Sequence, residues 1–309
     1  MDDRTRELGS DVHLIDTAMG GYDGITAAYL VRSSRPALVE TGAATSAELV
    51  VAELAAQGIG PDDLATIVVT HIHLDHAGGV GDLAAAFPRA EVVVHERGAR
   101  HLVAPERLLS SAKRVYGEEL FARVFGDLLA TPAERVRALG DTGEVDLGDG
   151  RRLSTHWSPG HASHHVGLLD SETGDLYVGD AAGVYVPEAD LLRPATPPPD
   201  FDLPVALASL ELFASLAPTR LLFSHFGPVT AVSDALERSA EELRLWVELA
   251  RETRGLELDH AVAAVRARTH ERYAALRADP DLAARQDALN SDAANLSGIR
   301  RWLDQVEPV

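Results

Sequence analysis

THIHLDHAGG, residues 70–79, places three histidines and an aspartate within six positions. It continues ATIVVT (65–70), a short apolar run of the kind that forms a buried strand. His71 and His73 are two apart, so in extended chain their side chains point to one side. Asp75 and His76 follow where the chain turns toward a helix, and Asp is well suited to cap a helix start. Two imidazoles and an Asp–His pair therefore face one space from neighbouring directions. That suits a divalent ion bound by N and O donors at about 2.0–2.2 Å. Gly78 and Gly79 belong to no phosphate-binding pattern and are read as permitting close backbone approach beneath such a site.

The chain has no cysteine, which excludes disulfides, thiolate metal sites and cysteine nucleophiles. Any transition-metal site must be built from His, Asp and Glu. Ten residues cannot complete two metal shells, so further ligands must come from distant segments. Three polar residues directly follow apolar strands beside Gly or Pro: His161 in SPGH, Asp180 in YVGD and His225 in FSHFGP. That repetition is expected of a site gathered at one edge of a sheet system.

The ordered set His71-x-His73-x-Asp75-His76, His161, Asp180, His225 resembles the metallo-β-lactamase-fold superfamily over roughly residues 10–230. The resemblance implies an α/β (α+β) fold, a four-layer αββα sandwich of two mixed sheets with helices outside. It implies that His71, His73 and His161 bind a first metal, that Asp75, His76 and His225 bind a second, and that Asp180 bridges them. The absence of cysteine sets the chain apart from the cysteine-using lactamases. A bridging Asp resembles the branch with glyoxalase II, lactonases, RNase Z and phosphoesterases. RNase Z is disfavoured by the net charge of −20 and by the lack of a basic RNA-binding insertion. Glu40, in VETG, stands where the family usually carries Asp, a position that supports the ligands. His165 matches a family histidine that braces the loop by hydrogen bonds. Tyr185, five residues past Asp180, is the candidate oxyanion donor, at a spacing unlike that of family lactonases. Met19-Gly20-Gly21 and Tyr22 fall at a substrate-facing loop of the family, or form an ordinary turn.

Along the chain, strands are expected at Val12–Ile15, Thr26–Val31, Ala37–Glu40, Ala65–Thr70 and Glu91–Val94. Helices are expected at Ser46–Gln57 and Gly81–Phe87. Residues 98–140 read as a helical insertion, with Tyr116, Phe121 and Phe125 more readily core than pocket. Strand patterns return at Glu144–Leu147, Leu153–Trp157, Val166–Leu169 and Leu176–Val178. Residues 186–204 hold six prolines and read as loop, before a helix at Val205–Leu216 and a strand at Arg220–Phe223. Beyond about 230 the pattern is helical, with Leu236, Leu243, Trp246 and Ala250 on one face, as core or as a homodimer seam. The expected organisation is a catalytic domain over 1–230 and a helical extension over 231–309. NLSGIRRWL (295–303) is similar to the ending of some hydrolases of the superfamily and is expected to pack helices.

These readings lead to a metal-dependent hydrolase with two divalent ions, zinc first, with iron or manganese as the other options. A metal-bridging hydroxide, oriented by Asp75, would attack an ester-like bond (lactone, thioester, carboxylic ester or phosphoester) of a partly hydrophobic small molecule. The alternative within the fold is a persulfide dioxygenase with one iron on His71, His161 and Asp180. A scaffold that holds metal only for stability is a third reading. No basic run, apolar leader or bilayer-length apolar segment occurs. The expectation is therefore a cytoplasmic protein that binds neither nucleic acid nor membrane.

Overall fold

The computed structural model describes residues 4–308. The chain divides into two compact units, residues up to Trp157 with Val166–Tyr177, and Ser158–His165 with residues from Val178 onward.

The first unit holds a seven-stranded sheet in sequence order: β1 (Thr5–Gly9), β2 (Val12–Asp16), β3 (Ala27–Val31), β4 (Ala37–Val39), β5 (Thr66–Val68), β6 (Glu91–His95) and β7 (Val136–Leu139). Pairing is antiparallel from β1 to β4 and parallel from β4 to β7. The sheet is thus mixed, as expected. β4 and β5 are fully buried three-residue strands, and continuous apolar sequence is what a parallel strand covered on both faces requires. Helix Ala47–Ala56 makes the crossover from β4 to β5, and helices Leu74–Ala77 and Val80–Ala86 the crossover from β5 to β6. Residues 70–79 therefore leave the carboxyl end of a central parallel strand, where open α/β sheets place their ligands.

The same unit contains the antiparallel ladder β8 (Thr142–Gly148), β9 (Arg151–Trp157), β10 (Val166–Asp170) and β11 (Asp175–Gly179), whose last two residues begin the second unit. Tyr29 of β3 meets Tyr177 of β11 edge to face, with ring centroids 5.3 Å apart, so the two sheets share a core. At its margin Arg151 donates from Nη2 to Asp170 Oδ2 at 2.6 Å and from Nη1 to Ser10 O at 3.1 Å. Both partners are buried.

The second unit contains the hairpin of β12 (Val184–Val186) and β13 (Leu191–Arg193), the hairpin of β14 (Arg220–Phe223) and β15 (Gly227–Val229), helix Leu203–Ser215 and the C-terminal helices. In helix Val232–Glu252 the predicted face Leu236, Leu243, Trp246 and Ala250 is buried within this unit. Trp246 donates to the Tyr273 hydroxyl at 2.6 Å, and Tyr273 donates to Glu242 at 2.5 Å. Among the described residues no helix is long and apolar enough to cross a membrane.

Five strands are absent from the sequence reading: β1, β7, β12, β13 and β15. β1 is a polar edge strand whose central residues face solvent, so it has no apolar signature. The insertion is helical only through Glu96–Val103, Glu106–Tyr116 and Glu118–Val124, and its end is β7, an exposed VRAL edge strand. β13 lies inside the proline-rich stretch, where Leu191, Leu192 and Arg193 are buried despite their flanks. Short strands of this kind are made by tertiary pairing rather than by local propensity.

The Arg151–Asp170 pair yields a stability test. Arg151→Ala leaves a buried carboxylate without its cation, and is expected to cost about 3–5 kcal/mol in urea unfolding. A change below about 1 kcal/mol would show that the pair is solvated.

Candidate metal centre

In the first unit, β5 ends at Val68, the chain bends at Thr70, and helix Leu74–Ala77 starts after His73. Val166 N–H donates to Thr70 O at 2.8 Å, tying the start of β10 to the entry of this stretch. The Thr70 hydroxyl donates to Glu40 Oε1 at 2.5 Å and lies 3.0 Å from His71 Nδ1. Its proton is used on Glu40, so it accepts from His71 Nδ1–H and leaves Nε2 as the lone-pair nitrogen. His71 Nε2 is 3.1 Å from His73 Nδ1. Two nitrogen ligands of one tetrahedral ion stand roughly 3.3 Å apart, given bonds of about 2.0–2.1 Å.

Glu40 also faces His76, with Oε1 3.4 Å from Nδ1, and both side chains are fully buried. The carboxylate thus accepts from the Thr70 hydroxyl that faces His71 and lies beside His76, and groups behind an imidazole in this way bear on its ring orientation. Here Glu stands where the resemblance predicts Asp, and its reach serves both Thr70 and His76. The other nitrogen of His76, Nε2, looks toward Asp75 Oδ2 at 3.7 Å. Asp75 is the more exposed of the pair, with 17% of its side chain open to solvent.

In the second unit Asp180 follows β11, and its two oxygens face different histidines. Oδ2 is 3.6 Å from His161 Nε2, and Oδ1 is 3.4 Å from His225 Nε2. His161 Nδ1 donates to Ala195 O at 2.8 Å, because a carbonyl can only accept. His165 spends both nitrogens on protein. Nε2 accepts the Asp180 backbone N–H at 3.2 Å, and Nδ1 lies 2.9 Å from the Ser158 hydroxyl. It braces the Asp180 backbone, as expected of it. The Tyr185 N–H donates to His225 O at 2.5 Å, and Tyr185 O accepts from Phe226 N–H at 3.1 Å. The Tyr185 hydroxyl donates to Asp190 at 3.3 Å, so as an oxyanion donor it would have to exchange Asp190 for substrate.

The donor set fits divalent ions. It offers imidazole and carboxylate groups with protein-fixed tautomers, and a carboxylate whose two oxygens point at separate imidazoles. The supporting groups Thr70, Ser158 and Ala195 O were not singled out from sequence. Thr70 and Ser158 lie beside the predicted ligands, and that adjacency was the available signal. Ala195 lies 34 residues from His161 and offers only a carbonyl, so it leaves no mark in sequence.

Around the cassette, the insertion is seated by buried Phe121, Val124 and Phe125. Thr45 donates its hydroxyl to Val124 O at 2.7 Å and its N–H to Phe125 O at 3.2 Å. Tyr116, grouped with the core by its spacing, is 40% exposed and packs on Phe125 at 4.8 Å. Its phenol is pushed up to about 12, by burial first and then by the negative charge of Asp75.

The model of the family described as the Metallo-beta-lactamase superfamily matches residues 21–225. A metallo-beta-lactamase fold-containing protein, ST1585, of Sulfurisphaera tokodaii is 31% identical over 61% of this chain and 72% of its own length. The N-acyl homoserine lactonase AiiB of Agrobacterium fabrum is 32% identical over 40% of this chain, and a hydroxyacylglutathione hydrolase of a Synechococcus strain is 30% identical over 49%. These two matches span 42% and 47% of the relatives' lengths, less than half of each. The crystal structure of the metallo-beta-lactamase family protein TTHA1429 from Thermus thermophilus superposes with a TM-score of 0.68 at 24% identity, covering 97% of this chain and 95% of that one. That likeness concerns the fold, and it extends through the C-terminal helices.

Gly78, at the end of the cassette helix, offers a direct test of this local geometry. A Cβ there would stand 2.8 Å from Ala44 N and 2.2 Å from Leu74 O. Gly78→Ala is expected to destabilise the protein by more than about 2 kcal/mol in thermal or urea unfolding. A neutral result would mean that the helix can shift away from residues 43–44 at no cost.

Proposed function

Because the chain belongs to the metallo-β-lactamase superfamily, we propose that it is a metal-dependent hydrolase with a dinuclear centre acting on an ester-like bond of a small molecule. His71, His73 and His161 hold one ion in this reading, Asp75, His76 and His225 hold the other, and Asp180 bridges them. The observation that carries the reading is the placement of Asp180, with one oxygen toward His161 and the other toward His225. A carboxylate needed at a single ion would not require two imidazoles on opposite oxygens. His225 together with the whole cassette favours this reading over a single-iron dioxygenase, which would use His71, His161 and Asp180.

When bound, two divalent ions lower the pKa of a water to about 7 and polarise the scissile carbonyl, giving a nucleophile without Ser or Cys. The chain's own groups supply order around that chemistry. Thr70 and Ala195 O fix the His71 and His161 rings, so each presents one nitrogen in one direction, and Glu40 lies beside His76. Asp75, partly open to solvent, orients the attacking water and receives its proton on a carboxylate oxygen. Tyr185 remains the candidate donor to the developing oxyanion, on the condition that its hydroxyl leaves Asp190.

The substrate is read as partly apolar. Tyr22, Val115 and Tyr116 are exposed large side chains of the first unit, and Tyr116 lies within the field of Asp75. Carbon-acid esters are placed ahead of phosphoesters, because the relatives include an N-acyl homoserine lactonase and a hydroxyacylglutathione hydrolase. Zinc is the first choice of metal.

Metal analysis with a substrate panel tests the proposal. Two divalent ions per chain and turnover of a lactone, thioester or carboxylic ester are expected. His73→Ala is expected to lose one ion and at least about 100-fold in kcat/KM, since even groups behind the ligands carry 10–100-fold effects. One iron per chain with oxygen uptake on a persulfide would overturn it.

A further inference from the structure

His161 donates to a backbone carbonyl on the side away from Asp180. Its Nδ1–H donates to Ala195 O at 2.8 Å, which leaves Nε2 toward Asp180. Ala195 follows β13 in irregular chain, so no sheet ladder fixes that carbonyl. Its two neighbours are fixed instead by asparagines near the C-terminus. Pro194 O accepts from Asn290 Nδ2 at 2.9 Å. Thr196 N–H donates to Asn295 Oδ1 at 2.6 Å, and the Thr196 hydroxyl lies 3.0 Å from the same oxygen. Asn295 Nδ2 donates to Asn290 Oδ1 at 2.6 Å, joining the two clamps.

Asn295 is fully buried, and its amide is spent on this loop and on Asn290. One turn further, Gly298 lets the backbone of helix Asp292–Val306 lie directly on the loop. A Cβ at Gly298 would stand 1.9 Å from Thr196 O and 2.7 Å from the Pro197 carbonyl carbon. Before the loop, Arg193 donates to Asp292 at 2.6 Å, and beyond it Phe201 packs edge-on against Trp302 at 5.8 Å. The asparagines and the glycine thus meet the loop on both sides of the carbonyl that accepts from His161.

We propose that Asn295 is a positioning residue for His161, acting through Thr196 and the Ala195 carbonyl, so that the NLSG turn of the last helix sets the direction of a metal-ligand nitrogen. The inference rests on the reading of His161 as a ligand. A helix that merely covered apolar surface would need neither a buried amide saturated by loop backbone nor a glycine at the point of closest approach. The link is short: one side chain, one residue of loop, one carbonyl and one ring.

The test uses the full chain, freed of metal by chelation and then titrated with Zn2+ or Co2+ against a competing chelator. In the metal-free wild type, long-range 15N NMR is expected to show His161 protonated at Nδ1. Asn295→Ala is expected to shift His161 toward the Nε2–H form, weaken one of two ions by about 10–100-fold and alter the Co2+ absorption bands. Thr196→Ala keeps the backbone N–H donation and should move each readout the same way by a smaller factor. It also serves if Asn295→Ala does not fold. Asn295→Asp retains the acceptor for Thr196 and should fall between wild type and Asn295→Ala. Lowered melting temperatures with an unchanged His161 tautomer and unchanged ion affinities would overturn the proposal and leave the hydrolase reading intact. A wild type that takes up no metal would overturn both.

Discussion

The constraint on which the rest depends is the burial of imidazoles and carboxylates that must each keep one atom facing a prescribed direction. His71 and His76 have no exposed surface, His161 and His225 almost none, and Asp180 is nearly closed off. A buried polar atom without a partner costs on the order of 1–3 kcal/mol, so every ring must be answered on its far side. The answers differ in kind: a hydroxyl for His71 and a main-chain carbonyl for His161, while a carboxylate oxygen of Glu40 lies 3.4 Å from His76 Nδ1. For His71 and His161 the partner takes up Nδ1, and the remaining nitrogen has a defined tautomer and bearing. The strands place the ligands, and these partners orient them.

Glu40 shows how much backbone is committed to that end. It sits at φ 66°, a left-handed conformation that costs a non-glycine residue roughly 1–2 kcal/mol. The cost is offset by what the side chain reaches, since one carboxylate serves both Thr70 and His76. An Asp in the same conformation would be one methylene shorter. Asp180 has the opposite duty: its backbone is held by His165, and its two oxygens are directed at separate imidazoles.

Much of this was legible in the sequence, and the limits have physical causes. ATIVVT, EVVV and RLLF announce strands because they are buried on both faces. The ligands announce themselves because His and Asp directly after such strands are costly unless used. β1 and β7 stayed hidden because exposed edge strands need no apolar pattern. β13 stayed hidden because prolines around it suggested loop, while pairing with β12 decided otherwise. Tyr116 was read as core from its spacing alone, which fixes a helix face but not what covers it. The partners of His161 were invisible for a deeper reason. Ala195 contributes a carbonyl that any residue carries, and Asn295 lies 134 positions from the ring it influences, the difference between 295 and 161.

The insertion at Glu96–Val124 has a consequence for how such a protein changes over time. Its buried residues are Phe121, Val124 and Phe125, with Val124 beside Gly20 and Thr45 bonded to the Val124 and Phe125 carbonyls, while Tyr116 and Val115 are exposed. Folding and display are therefore handled by different side chains of the same short helices. Mutations on the outer side can accumulate with little loss of stability, and none of them touches the group that braces a metal ligand. The outer face of the insertion is thus free to change in sequence without unseating its buried side.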